Sequence, residues 1–167
     1  MAARIYLAGF DVFRRDAVER GEYLKGLCAA QGLHGMYPFD NQVPGYIGGE
    51  VTAQLICSQN LQMIRDCDGV MANLNAFRGL EPDSGTVFEI GVAFALNKPV
   101  WAYFDASPTL REQIPHDDEG RDDEGFLIED FGLPRNLMLA CTWAGFSRCA
   151  EDAVMRFAVY LQNIKKE

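Results

Sequence analysis

The chain has 167 residues, of which 49% are hydrophobic and 23% charged, and its formal net charge is −9. This is the composition of a globular protein long enough to bury a core, so extensive disorder is excluded. A chain this acidic is a poor candidate for binding a phosphate backbone or an anionic membrane. We therefore expect neither nucleic acid nor membrane as a partner.

The negative charge is concentrated in one stretch of the sequence. Residues 112–130 contain nine acidic side chains and one base, Arg121, which leaves a net charge of −1 for the rest of the chain. We expect an acidic loop here. Our hypothesis is that it forms a mobile, solvent-facing flap.

The cysteines and histidines argue against metal sites and disulfides. Five cysteines without C-x-x-C spacing, and only two histidines, predict reduced thiols and no metal or other cofactor. The N-terminal residues lack the apolar core of a signal peptide, and the apolar stretch 87–96 is too short to cross a bilayer. The predicted location is cytoplasmic.

Short apolar runs and helical patterns alternate along the chain. The apolar runs predict strands at 4–8, 36–39, 70–74 and 100–104. The helical patterns predict helices at about 15–31, 50–66, 83–97 and 149–164. The expected core-facing residues of the first two helices include Tyr23, Val51 and Ile56. Strands separated by helices predict an α/β fold with a mostly parallel sheet.

Ligands of such folds bind beyond the carboxyl ends of the strands. The segments expected along that edge are 8–10, 39–41, 73–75 and 104–105. This predicts where a site lies but leaves its chemistry open.

Glu89 is unusual because the other residues of 86–96 are apolar or small. A carboxylate is seldom buried without a partner, and burial raises its pKa. Glu89 could lie on an exposed stripe, could be buried and bonded to the backbone or a tyrosine, or could be functional. Val92 and Ala93 share its helical face, which weighs against the exposed stripe.

Asp83 precedes Glu89 by six residues, at the predicted start of the same helix. An Asp there is commonly an N-cap, and the same side chain can also face a ligand. If both carboxylates point into one cleft, they match the nucleophile and the acid/base of a retaining glycosidase. Gly85 would permit close backbone approach, or an anion site at the helix start.

Other positions allow both structural and functional interpretations. Tyr6, on the first strand, is either a core tyrosine or a buried hydroxyl with a partner. The sequence Asp40-Asn41-Gln42 is either a turn or a set of polar groups suited to a nucleobase edge or sugar hydroxyls. The chain contains neither G-x-G-x-x-G nor a P-loop sequence, which argues against dinucleotide and P-loop chemistry.

Five motifs in order carry a resemblance to a known family. They are IYLAG at 5–9, YPFDNQ at 37–42, NLQMIRDCD at 60–68, EPDSGTVFEIG at 81–91 and GLPRNLML at 132–139. Over about residues 3–140, the chain resembles the nucleoside 2-deoxyribosyltransferases. We predict one domain over residues 1–167, doubly wound and flavodoxin- or Rossmann-like, with a mostly parallel five-stranded sheet flanked by helices.

The resemblance implies a reaction on 2′-deoxynucleosides and free nucleobases. Glu89 would attack C1′, form a covalent deoxyribosyl-enzyme, and pass the sugar to a second base with net retention. Asp83 would handle the proton of the leaving and incoming bases, and Tyr6 would orient the nucleophile. Asn136 and Met138 would complete the site of an adjacent subunit, which implies a homo-oligomer of at least two chains.

The resemblance also implies substrate contacts, and two positions depart from it. The expected substrate-binding residues, besides Asn136 and Met138, are Gly9, Phe10, Asp40, Gln42, Asn60 and Gly85. Asn60 stands where well-known members carry an Asp that contacts the base, and Asn73 stands where some relatives have Asp. The base preference is therefore open.

Two other functions remain open. One is a 2′-deoxynucleoside 5′-monophosphate N-glycosidase, which needs serines and an Arg near the first strand to bind phosphate. Here the turn at 9–13 is apolar and acidic, although Arg14 and Arg15 follow it. The other is a non-catalytic nucleotide-binding sensor domain, against which the presence of Asp83 and Glu89 argues.

Overall fold

The strands form one parallel sheet in the computed structural model, which describes residues 2–41, 48–105 and 109–164. The strands in these ranges are β1 (Arg4–Ala8), β2 (His34–Met36), β3 (Gly69–Asn73), β4 (Val100–Tyr103) and β5 (Gly145–Ser147). Their order in the sheet is β2-β1-β3-β4-β5, and every pairing is parallel. This is a doubly wound order of the flavodoxin type, so the predicted fold class is confirmed.

Helices cover both faces of the sheet. Those in the described residues are α1 (Ala17–Ala30), α2 (Gly49–Asp66), α3 (Ser84–Ala95), α4 (Leu110–Gln113), α5 (Leu137–Ala140) and α6 (Ala150–Ile164). Alternate residues of β1 point to opposite faces. Ile5 and Leu7 belong to a core cluster with α1 and α6, whereas Tyr6 and Ala8 belong to one with α2 and α3.

The second strand begins and ends earlier than predicted. Met36 is its last residue, and Pro38–Asp40 form a short 3₁₀ turn instead of the end of a strand. Pro38 has no N–H to donate to a sheet. The Asp40 carboxylate accepts a hydrogen bond from the Tyr37 backbone N–H at 2.8 Å, which stabilises the turn.

Three residues expected in the core are exposed. Tyr23 is 43% exposed, Val51 54% and Ile56 41%. The buried residues of α2 are Met63 and Ile64, near its C-terminal end. The N-terminal part of α2 therefore lies outside the core, and its apolar residues are available to line a surface.

The acidic stretch contains a repeated sequence, Asp-Asp-Glu-Gly, at 117–120 and 122–125. Each copy folds as the same turn, in which the first Asp accepts two backbone hydrogen bonds through Oδ1. Asp117 accepts from Glu119 and Arg121, both at 2.9 Å, and Asp122 accepts from Glu124 and Phe126 at 3.0 and 2.9 Å. We call residues 117–126 the double turn. The predicted acidic loop is thus held by hydrogen bonds between its own residues, whereas its mobility stays a prediction.

Candidate active site

A cavity of about 630 Å³ opens where the order of the strands reverses beside β1. Its size is that of a small-molecule site, and its position is where doubly wound folds bind ligands. The wall comes from the segments after β1 and β2, one face of α2 and the start of α3. The lining residues are Gly9, Val12, Phe13, Val18, Pro38, Phe39, Asn41, Ile56, Gln59, Asn60, Asp83, Gly85, Thr86 and Glu89.

Tyr6 and Glu89 are bonded to each other at this cavity. The Tyr6 hydroxyl donates a hydrogen bond of 2.6 Å to Glu89 Oε1. Tyr6 is completely buried on β1, and Glu89 lies partly buried on the second turn of α3. The pairing gives the Tyr6 hydroxyl a partner and argues against the exposed stripe for Glu89, and it is compatible with a functional Glu89. It leaves Oε2 of Glu89 without a hydrogen bond from any described residue.

Burial raises the pKa of both groups. It raises the pKa of Glu89 from its usual 4.5 to about 7; the Tyr6 hydrogen bond opposes this shift, and the nearby Asp83 adds to it. Burial, with the Glu89 charge, raises the pKa of Tyr6 far above its usual range, so the phenol stays protonated and donates. A carboxylate with a pKa near 7 can serve as a base or a nucleophile at physiological pH.

Asp83 caps α3 and also faces the cavity. Its Oδ2 accepts hydrogen bonds from the Thr86 backbone N–H and hydroxyl, each at 2.9 Å. Oδ1 has no hydrogen-bond partner among the described residues. One oxygen therefore holds the helix while the other is free to meet a ligand. The two interpretations of Asp83 from the sequence are compatible.

Two of the predicted substrate-binding residues, Gly9 and Gly85, line the cavity at positions where a side chain would be crowded. A Cβ on Gly9 would lie 2.8 Å from both the Asn73 Cβ and an Asp11 carboxylate oxygen. At Gly85 it would lie 3.2 Å from Asp83 Oδ2. Gly9 in particular lets the turn after β1 approach β3 closely.

The polar lining contributed by α2 and by the turn after β2 is made of amides. Asn60, predicted from the sequence, lines the cavity on α2. The Asn41 side-chain amide donates to Met63 Sδ at 2.9 Å and to Asn60 Oδ1 at 3.4 Å. Amides can both donate and accept, as required for reading a nucleobase edge. Gln42, predicted beside them, lies outside the described residues.

Several predicted substrate-binding residues do not line this cavity. Asp40 is exposed, and its carboxylate accepts hydrogen bonds from the Tyr37 backbone and from Lys25 at 2.7 Å. Phe10 stacks on Phe77, with 4.8 Å between ring centroids. Asn136 caps α5, and Met138 is 69% exposed. The structure thus assigns Asp40 to the turn after β2 and leaves the α5 residues outside this chain's own cavity.

Part of the cavity wall was not predicted from the sequence. Ile56, Gln59 and Asn60 lie at i, i+3 and i+4, which places them on one face of α2. The same spacing was available in the sequence, but Ile56 was assigned to the core. Phe13 and Val18, both about 60% exposed, complete an apolar side. Nothing in the local pattern distinguished them from ordinary surface residues.

Two other kinds of site are absent from the described residues. No group of three or more His, Cys, Asp or Glu side chains converges there in a way that could hold a metal ion. No helix in those ranges combines the length and the apolarity needed to cross a membrane.

Comparison with known proteins identifies the family of this chain. Residues 5–138 match the family model described as nucleoside 2-deoxyribosyltransferase. A solved 2-deoxyribosyltransferase from Leishmania mexicana is 33% identical, with a TM-score of 0.80 over 95% of this chain and 98% of that one. One from Bacillus psychrosaccharolyticus, at 22% identity, shares the fold with a TM-score of 0.60 over 90% and 89% of the two chains.

An uncharacterized protein of Schizosaccharomyces pombe is 36% identical over 99 residues. The match covers 58% of this chain and spans 47%, about half, of that protein. The family match over residues 5–138 and the Leishmania mexicana relative aligned over nearly its whole length show that this chain belongs to the nucleoside 2-deoxyribosyltransferase family.

Proposed function

We propose that the chain transfers 2-deoxyribose between nucleobases, through a covalent deoxyribosyl-glutamate and with retention at C1′. The observation that carries the proposal is the 2.6 Å pair of Tyr6 and Glu89 at a cavity that Asp83 also lines. No cofactor takes part in the proposed reaction.

In the first step, Glu89 Oε2 forms a bond to C1′ while the bond from C1′ to the departing base breaks. Asp83 gives a proton to that base and recovers it from the incoming one, which attacks C1′ and releases Glu89. The transition state resembles an oxocarbenium ion, so a carboxylate at C1′ stabilises it. Tyr6 donates to Oε1 and thereby holds the other oxygen in place.

The cavity fits uncharged nucleosides better than nucleotides. The residues lining it include no Arg, Lys or His among those that the structure describes. Arg14 has its guanidinium bonded twice to Asp16, at 2.8 and 3.0 Å, and is not part of the wall. A phosphate dianion would lack the charged partners that it needs. These observations favour transfer over the monophosphate N-glycosidase.

The proposal includes a homo-oligomer in which Asn136 and Met138 complete a neighbouring site. Met138 is largely exposed and outside this chain's cavity, and α3 exposes Phe88 and Phe94 at 60% and 53%. Large apolar side chains exposed beside a site are typical of surfaces that bind another protein chain.

Five free thiols support a reducing location such as the cytoplasm.

An exchange matrix tests the function. Deoxyinosine and thymidine serve as donors, adenine and cytosine as acceptors, with chromatographic detection and a control without acceptor. We expect new deoxynucleosides at rates above hydrolysis. Faster release of base from dGMP than from deoxyguanosine would favour the N-glycosidase, and ligand binding without any turnover would favour the sensor domain.

Trapping tests the mechanism. A 2-fluoro-2-deoxyarabinosyl nucleoside should add its sugar mass to the peptide that contains Glu89, because fluorine slows breakdown of the covalent intermediate. Modification of a different peptide would refute Glu89 as the nucleophile.

A further inference from the structure

We propose that Glu129, in the acidic stretch, is a positioning residue that acts across the subunit boundary: it holds Asn136 and Met138 in place for the adjacent subunit's site. This inference rests on the proposed function, because the sharing of Asn136 and Met138 is part of that proposal.

Both oxygens of the Glu129 carboxylate are bonded to the start of α5. Oε1 accepts from the Asn136 side-chain amide at 2.6 Å, and Oε2 accepts from the Leu137 backbone N–H at 2.8 Å. Asn136 Oδ1 in turn accepts from the Met138 backbone N–H at 3.0 Å. Hydrogen bonds to a charged carboxylate are stronger than neutral ones.

These contacts fix which way the Asn136 amide points. Its nitrogen faces Glu129 and its oxygen faces α5, which leaves one N–H and one lone pair for a substrate. Replacing Glu129 would remove the constraint on the nitrogen and one bond to the backbone at Leu137. Asn136 and Met138 would then lose their fixed orientation. Because neither residue lines this chain's own cavity, we expect the effect at the adjacent subunit's site.

A second anchor holds the same segment from the sheet. Arg135 is 2% exposed, and its Nε and Nη2 donate to the Leu74 carbonyl at 3.1 and 3.0 Å. Its guanidinium also lies 4.4 Å from the centre of the Phe104 ring. Arg135 therefore holds one side of the turn before α5, and Glu129 holds the other.

The double turn determines where Glu129 lies. Ile128 is 6% exposed, and its backbone N–H donates to the Gly120 carbonyl at 2.9 Å. Arg121 and Leu127 form an antiparallel bridge beside it. The acidic stretch is thus a folded support for Glu129.

Activity measurements on single variants form the first test. We expect Glu129→Ala to lower kcat/KM for base exchange about 10- to 100-fold, because small displacements of positioning groups have effects of that size. Glu129→Gln keeps one acceptor oxygen and should lose less. The control is Glu124→Gln, an exposed acid of the double turn, which should retain wild-type activity. Equal activity of the Glu129 variants and the control would overturn the proposal.

Mixed oligomers form the second test. It distinguishes a role across the subunit boundary from an effect of Glu129 on the stability of its own chain alone. Chains with Glu129→Ala and chains with Glu89→Gln are co-expressed with different tags, and the doubly tagged species is purified. In a mixed dimer, one site combines an intact Glu89 with an intact Glu129 of the other chain. We expect about half of the wild-type exchange rate.

The control mixture pairs Asn136→Ala with Glu89→Gln and should recover activity in the same way. Recovery there without recovery for Glu129→Ala would show that Glu129 does not act across the boundary. Failure of both mixtures would overturn the sharing and hence the proposal. An inactive wild-type chain would instead refute the proposed function, and with it this inference.

Discussion

Two carboxylates near β1, those of Asp11 and Glu89, differ in the charge of their hydrogen-bond partners. Asp11, in the turn after β1, is 3% exposed and accepts hydrogen bonds from Arg20 at 2.9 Å and Asn73 at 2.8 Å. Glu89 accepts one hydrogen bond, from the neutral Tyr6. Asp11 has a cation as partner, whereas Glu89 is desolvated with no cation bonded to it among the described residues.

The presence or absence of a cationic partner explains why Asp11 has a structural role and why Glu89 is suited to react. The ion pair and amide occupy Asp11 and hold the turn that carries Gly9 and Phe13 against β3. Glu89 has lost solvation without gaining a compensating charge, so its pKa is raised to about 7. A carboxylate in that condition gains from bonding to a developing cation at C1′.

Glu89→Gln should have the largest effect, because it removes the proposed nucleophile while keeping the shape of the side chain. We expect exchange to fall at least about 10³-fold in a folded protein, measured by chromatography. Glu124→Gln is the matched control. A variant that keeps near-normal turnover would contradict the assignment.

The same variant should also change the pH dependence of stability. The folded state binds the Glu89 proton more tightly than the unfolded state does. The contribution of this proton to the free energy of unfolding is therefore lost as pH rises from about 4.5 through about 7. Thermal melting at pH 8 should therefore show Glu89→Gln to be more stable than wild type, with little difference at pH 4. Equal melting temperatures at pH 8 would argue against the raised pKa.

Asn73→Asp tests the other carboxylate. The Asn73 amide nitrogen, 2.8 Å from Asp11, would become an oxygen facing a buried carboxylate. We expect a loss of about 3 kcal/mol in the free energy of unfolding, measured by urea denaturation. Asn97→Asp, at an exposed helix end, is the control. An unchanged midpoint would mean that Asp11 does not need the amide donor.

Tyr6→Phe should have a moderate, pH-dependent effect. The Tyr6 hydrogen bond lowers the Glu89 pKa, so its loss should raise that pKa above about 7 and shift the acidic limb of kcat to higher pH. Because the proposed attack on C1′ needs an ionised Glu89, activity at pH 6 should drop about 3- to 10-fold more than at pH 9. Tyr160→Phe provides the comparison. A parallel loss at all pH values would point to packing alone.

Asn60→Asp should have the smallest effect, on base preference. An amide that donates and accepts becomes a carboxylate that only accepts. We expect the ratio of adenine to hypoxanthine use to rise by up to about tenfold, since adenine presents an amino donor. Gln162→Glu, on α6, controls for the added charge. An unchanged ratio would separate Asn60 from base reading.

Local sequence patterns predicted the fold well and the cavity partly. Alternating apolar runs and helices were enough for the parallel sheet and for most element boundaries. The three-residue β5 carried too short a signal to be located. Glu89 was recognisable because a carboxylate conflicts with the apolar pattern of its helix. Asp83 was recognisable because an Asp at that position completes the pattern of a helix N-cap. Ile56 was misassigned because periodicity identifies a face but not what covers it.

The sequence by itself determined which chemistry is available: the parallel α/β order, a capped helix carrying two carboxylates, and a charge of −9 concentrated in one stretch. Only the tertiary structure decided which carboxylate receives a cation. Arg20 and Asn73 reach Asp11, whereas Tyr6 reaches Glu89 from 83 residues away along the chain. The physical reason is that desolvation and hydrogen bonding depend on what packs against a group in space, and local sequence does not specify that.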